Sequence, residues 1–140
     1  MTVVIRRVRP GDEPLFERIA DDVFDHPVSE AVLSRFLAAP GHHLVVALAD
    51  GEVVGQAAAM LHRHPDGRPV ELYVDELGVA PSHRRQGIAR RLLDELLAVG
   101  RELGCREAWV GTEADNVAAT TLYASLGAEP EPFVMYVLEL

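Results

Sequence analysis

The chain has 140 residues, 49% hydrophobic and 25% charged, which suits one globular unit over residues 1–140 with its own core and leaves no room for a second domain. Lys and Arg number 13 against 22 Asp and Glu, and the net charge of -9 argues against a nucleic-acid partner while favouring a cationic small molecule. The single Cys105 excludes a disulfide framework; without a membrane-length apolar run or a signal-peptide core in MTVVIRRVRP, the expected location is cytoplasmic.

Residues 3–9 read as a first strand without a clean polar face, as for a strand covered on both sides. Asp12 then offers an N-cap and Pro14 falls in a first turn, with Leu15, Phe16, Ile19, Ala20 and Val23 at helical spacing behind them. A turn at Asp25, His26 and Pro27 leads to a second helix presenting Val32, Leu33, Phe36 and Leu37, which Pro40 and Gly41 end. Two strands, 44–48 and 53–60, flank Asp50-Gly51, the strongest short hairpin signal a sequence can carry. Residues 62–68 are polar and read as a loop. His42, His43, His62 and His64 have no third ligand at metal spacing, so they read as surface or strand-edge residues and no metal site is expected.

Residues 71–90, ELYVDELGVAPSHRRQGIAR, read as strand, turn, glycine-bearing loop and helix start. Val70, Leu72 and Val74 are apolar at even positions, whereas Leu77 and Val79 are apolar at odd ones. Side chains alternate faces along a strand, so this change of parity requires an inserted residue, a β-bulge between Asp75 and Leu77. Such a bulge splays the strand from its neighbour and frees backbone groups beside a carboxylate. Past the turn, Arg84, Gly87 and Ala89 are spaced as R-x-x-G-x-A. A helix starting there aims unpaired N–H groups and its positive dipole end outward, and a pyrophosphate is the expected ligand.

Ile88, Leu92, Leu93, Leu96, Leu97 and Leu103 form a stripe that packs this helix on the sheet. Residues 108–111 are a short strand, parallel to the bulged one by the order of elements. Asp115 or Asn116 caps a last helix, Gly127 suits its C′ position, and residues 133–138 close the sheet.

LGVAPSHRRQGIARRLL resembles the acetyl-CoA signature of the GNAT superfamily of N-acetyltransferases, and Asn116, Ala119 and Tyr123, as N-x-x-A-x-x-x-Y, resemble its downstream half. The resemblance implies an α/β mixed sheet of about six or seven strands with a bulged, splayed central strand and four helices, and acetyl-CoA as coenzyme. It implies that Leu77, Gly78 and Val79 pair with pantetheine, that the loop of Arg84, Arg85, Gln86, Gly87, Ile88, Ala89 and Arg90 holds the pyrophosphate, that Asn116 meets the pantetheine arm, and that the Tyr123 hydroxyl lies by the sulfur. A homodimer is a further expectation from the family.

Acetyl transfer to an amine needs a held thioester, a stabilised carbonyl oxygen, a neutral amine and a proton for the leaving thiolate. Glu76, beside the bulge, is the candidate base, with cation binding alone as the alternative. Tyr123 is the candidate acid. The chain looks most similar to short, single-domain aminoglycoside 3-N-acetyltransferases, for which Asp25, Asp75, Glu76, Glu113 and Asp115 would line an acidic acceptor groove. An acetyltransferase of a protein N-terminus, lysine or metabolite amine is the alternative, and a non-catalytic acyl-CoA-binding module the third reading.

Overall fold

The computed structural model describes residues 2–140. Among them, five strands form one sheet in sequence order: β1 (Val3–Arg7), β2 (His42–Ala49), β3 (Glu52–His62), β4 (Glu71–Val79) and β5 (Ala108–Val110). The first four pair antiparallel, and β5 runs parallel to β4. The α-helices are α1 (Glu30–Ala38), α2 (Ile88–Glu102) and α3 (Val117–Ser125).

Helix α2 lies across one face of the sheet. Gly55 of β3 and Gly100 of α2 allow this close approach: a Cβ on Gly55 would stand 3.1 Å from Leu92, and one on Gly100 would stand 3.0 Å from Leu72. Leu72, Leu92, Leu96, Val45, Val46, Val53 and Val54 are the largest fully buried side chains at this contact and through the central strands. Burying each contributes about 1.5–3 kcal/mol. The other face carries α1 and the segment leading to it, which seats Val23 in the core.

The β2–β3 hairpin turns on Asp50 and Gly51, both with positive φ (49° and 79°), the backbone that an Asp-Gly pair supplies at low cost. The bulge also falls where parity places it. Ala58 pairs with Glu76 and Ala59 with Val74, so Asp75 is the extra residue.

Four expectations are corrected. β1 is an edge strand of alternating burial, so it is covered on one face only. The first helix is a 3-10 turn, Glu13–Glu17. It stops because the following chain docks on β3: Val53 N donates to the Arg18 carbonyl and Ala20 N to the Val53 carbonyl, each at 2.9 Å, so backbone groups a helix would use are already committed. Leu103 lies beyond the end of α2 and is exposed. Finally, residues 133–138 do not join the sheet, and Phe133, Val134 and Tyr136 are exposed. Pro130 and Pro132 supply no N–H for pairing, and β5 offers only three residues as a template. The result is five strands and three α-helices in place of six or seven and four.

A Cβ on Gly78 would run into the carbonyl oxygen of Val23, whereas Gly67, in an open loop, has nothing within 4 Å. Gly78→Ala should therefore cost about 1–3 kcal/mol in urea unfolding, the usual penalty of overpacking. Gly67→Ala should leave the midpoint within experimental error.

Candidate active site

Strand β4 keeps its pairing with β3 as far as Val79, opposite Gly55. On its other side only Leu72, Tyr73 and Val74 meet β5. From Asp75 to Val79 that edge therefore diverges from the neighbouring strand, and the gap widens into a cleft of about 840 Å³ between β4, the start of α2 and α3. Backbone donors and acceptors of an unpaired edge offer an extended ligand the same bonds a strand would make.

The cleft has two chemically different parts. At one, the start of α2 is reached through a loop with two left-handed residues, Arg85 (φ 62°) and Gly87 (φ 73°). The first i→i−4 bond runs from Arg91 N to the Gly87 carbonyl, which leaves the N–H groups of Ile88, Ala89 and Arg90 without helical partners. No side chain caps them and no acidic residue lies in the first turn, whereas Ser29 caps α1 and Asn116 caps α3. Arg84, Arg85, Gly87, Ile88, Ala89 and Arg90 all line the cleft. Gln86 does not. Arg90 is partly committed, with Nε on Asp94 and Nη1 on Ser125 at 3.2 Å each, and Arg84 Nε donates to the Val79 carbonyl. The anion-binding capacity at this end accordingly rests on backbone N–H groups and dipole, with the arginines adding charge around them.

Farther along β4 from α2 stand Asp75 and Glu76, with Asp25 close enough to act on Glu76, and Asp22 lines the same cleft. The bulge turns Asp75 and Glu76 toward the same cleft instead of to opposite faces. Burial, then the neighbouring carboxylates of Asp75 and Asp25, push the Glu76 carboxyl above its usual value. Burial also raises Asp75, against a smaller opposing effect of His42. A carboxylate raised in this way is a better proton acceptor near neutral pH than an unperturbed one.

Tyr123 of α3 faces the cleft, and burial raises its phenol, so it stays protonated through the neutral range. Asn116 lines the cleft as well, but its side-chain oxygen accepts from Ala119 N at 3.1 Å and is thereby spent on the helix cap. Helix α3 ends in a Schellman turn: Gly127 N bonds the Ala124 carbonyl and Ala128 N the Tyr123 carbonyl, with Gly127 at φ 83°. Glu113 and Asp115 are exposed in the loop before α3 and do not line the cleft.

Among the lining residues that sequence did not assign to the site are the polar Asp22, Gln56, Tyr73 and Thr112. Gln56 is 2% exposed; its Nε2 donates to the Val23 carbonyl at 3.4 Å, and its Oε1 has no hydrogen-bond partner among the described residues. A lone polar residue in the run Val53 to Met60 was the available signal. Asp22 has φ 61°, a left-handed backbone that Asp tolerates better than most residues and that no sequence pattern reveals. Cys105 is half-buried, and burial raises its thiol, which favours the protonated form.

Among the described residues no helix is long and apolar enough to cross a membrane. The acetyltransferase (GNAT) family model matches residues 12–128. The N-alpha-acetyltransferase RimI of Mycobacterium tuberculosis is 40% identical over 106 residues, 75% of this chain, which spans 63% of that protein's length. The aminoglycoside N(6')-acetyltransferase type 1 of Salmonella typhimurium is 31% identical over 96 residues, 65% of each chain. An aminoglycoside acetyltransferase from an uncultured soil metagenomic sample superposes with a TM-score of 0.83 at 25% identity over the full length of both chains. The 3-N specificity expected from sequence finds no support in these relatives, the curated aminoglycoside enzyme being named for the 6' amine. With the splayed strand, the uncapped helix and a family match across most of its length, this chain belongs to the GNAT family of acetyltransferases.

Proposed function

We propose that the protein acetylates a primary amine of a polycationic amino sugar of the aminoglycoside type, by direct transfer within a ternary complex. The observation that carries this reading is the cluster of Asp25, Asp75 and Glu76 in the cleft, with Asp22 also on its wall, opposite in charge to the basic loop before α2. Several carboxylates around one small opening attract a ligand bearing several ammonium groups more than one bearing a single charge. Similarity to aminoglycoside acetyltransferases supports the same reading. The second reading, acetylation of a protein N-terminus, is favoured by the 40% identity to RimI.

When bound, acetyl-CoA supplies the activated acetyl group. The free edge of Leu77, Gly78 and Val79 would pair with its pantetheine arm, and the N–H groups at the start of α2, with Arg84, Arg85 and Arg90 around them, would hold its pyrophosphate. Asn116 would meet the arm through what its capping bond leaves free. Asp25, Asp75 and Glu76 would draw in the ammonium, joined by Asp22; Glu113 and Asp115 could take part only if their loop turned toward the cleft. Glu76 accepts the proton the amine must lose before attack, and Tyr123 donates one to the departing thiolate. The base must be ionised to act, so kcat/KM should fall as pH drops through the raised pKa of Glu76.

Thiol release from acetyl-CoA with a panel of aminoglycosides, amino-terminal peptides and simple amines tests the acceptor. Turnover with aminoglycosides well above peptides is expected, and the reverse order would replace this reading with the second.

Glu76→Gln should lower kcat/KM by about 10²–10⁴-fold and abolish the acidic limb of its pH profile. Full activity in that variant would remove Glu76 as base. The stability effect has the opposite sign. A carboxyl raised in the folded state favours its protonated form there, so its contribution is fully present below the unfolded value and is lost as pH rises through the folded one. Glu76→Gln should consequently melt at or above the wild-type temperature at neutral pH. Tyr123→Phe should reduce kcat by about 10²-fold while leaving the acceptor KM nearly unchanged, measured in steady state.

A further inference from the structure

Beside the acidic cluster, β4 and β5 carry an aromatic wall that the transfer chemistry leaves unused. Tyr73 and Trp109 are register partners, their rings stacked at 4.2 Å with 19° between planes. His62 stands edge-on to Trp109 at 6.1 Å and to His64 at 4.6 Å. His64 Nε2 meets Glu71 Oε1 at 2.8 Å. That contact first, and the Trp109 indole after it, hold the Glu71 carboxyl below its usual range. Trp109 is thus fixed from both sides while 45% of its surface stays exposed.

The wall lies on the same side of the sheet as Glu76, with Tyr73 at the cleft and Trp109 beyond its edge. Met60 pairs with Tyr73 and Ala58 with Glu76; Ala58 and Met60 share a face of β3, so Tyr73, Trp109 and Glu76 share the corresponding face of the sheet. Tyr73 also lines the cleft. Because Asp75 is the bulge residue, Tyr73 and Glu76 face β3 partners two positions apart, Met60 and Ala58, and stand roughly 7 Å from each other along the strand, about the reach from an amine on one sugar ring to the middle of the next.

We propose that Tyr73 and Trp109 form a second acceptor subsite, a shelf for a neighbouring cationic ring of the molecule whose reacting amine lies at Glu76. This rests on the polycationic reading of the acceptor given above. A rigid, exposed aromatic face flanked by Glu71 on one side and by Asp75 and Glu76 on the other favours an ammonium-bearing saturated ring, through cation–π attraction and apolar contact together. A single-ring amine would fill the reacting position without reaching the shelf.

Trp109 is the only tryptophan of the chain, so its emission reports on the shelf directly. The probes are sisomicin, which has several rings, and 2-deoxystreptamine, which has one, each titrated into the wild-type protein and assayed as acceptor. Sisomicin should change the emission saturably, and 2-deoxystreptamine should not. Trp109→Ala should raise the sisomicin KM roughly five- to tenfold, leaving kcat, the acetyl-CoA KM and the 2-deoxystreptamine KM within about twofold. Trp109→Phe should restore most of the loss, and thermal melts establish that both variants are folded.

Sisomicin acetylated with silent Trp109 emission, or equal KM increases for both amines, would overturn the shelf and leave the acceptor reading intact. Sisomicin that moves the emission without being acetylated would uphold the shelf and overturn the reading. Neither binding nor turnover would overturn both. An emission already blue-shifted in the free protein, and red-shifted by removing residues 129–140, would show the shelf covered by the chain's own end and overturn the proposal as well.

Discussion

One inserted residue governs the architecture of the site. Asp75 occupies a position on β4 for which β3 has no counterpart, and on the other edge pairing with β5 ends at the residue before it. A regular strand would have satisfied its backbone against both neighbours and would have sent Asp75 and Glu76 to opposite faces. The bulge instead opens one edge from Asp75 to Val79 and brings both carboxylates to one cleft. The fold tolerates this because β4 remains paired to β3 along its length and because Gly78 lets the Val23 carbonyl close in on the face away from α2.

The same opening separates charge. Acidic groups gather where the strands part, and basic ones where α2 begins, in a chain whose overall charge is -9. The anion binding proposed beside α2 would draw on peptide dipoles that no side chain of the fold neutralises, since Gly87 brings no capping group. The acidic end works at a cost to stability, because carboxyl groups crowded together and partly withdrawn from water resist ionising. The proton acceptance proposed for Glu76 would depend on that resistance, and stability at neutral pH is lower for it.

Much of this was legible because it follows from local rules. The even-to-odd shift between Val74 and Leu77 located the bulge, Asp50-Gly51 located the hairpin, and Gly127 marked the end of α3. Each is a constraint that a residue imposes on its own backbone. The features that were not legible depend on distant partners. Residues 13–20 have helical spacing, but Val53 takes their backbone groups. Residues 133–138 have the composition of a strand without a neighbour that takes them up. Gln56 and Asp22 owe their places to the approach of Val23 toward β4, and the stacking of Tyr73 on Trp109 to a parallel pairing of three residues. Glu113 and Asp115 were assigned by charge alone, and charge does not say which way a loop faces.

Helix α3 contributes Tyr123 to the cleft, yet none of its residues is fully buried and Val117 is 72% exposed. Its two well-made ends hold it as a helix more firmly than its flank holds it to the sheet. Such an element opens at a lower free energy than the core strands do, and a ligand bridging it to β4 would slow its amide exchange ahead of every other segment. In the proposed reaction the Tyr123 hydroxyl would thus be carried by an element held less firmly than the sheet, and spent coenzyme would leave by its loosening with the five-stranded platform undisturbed.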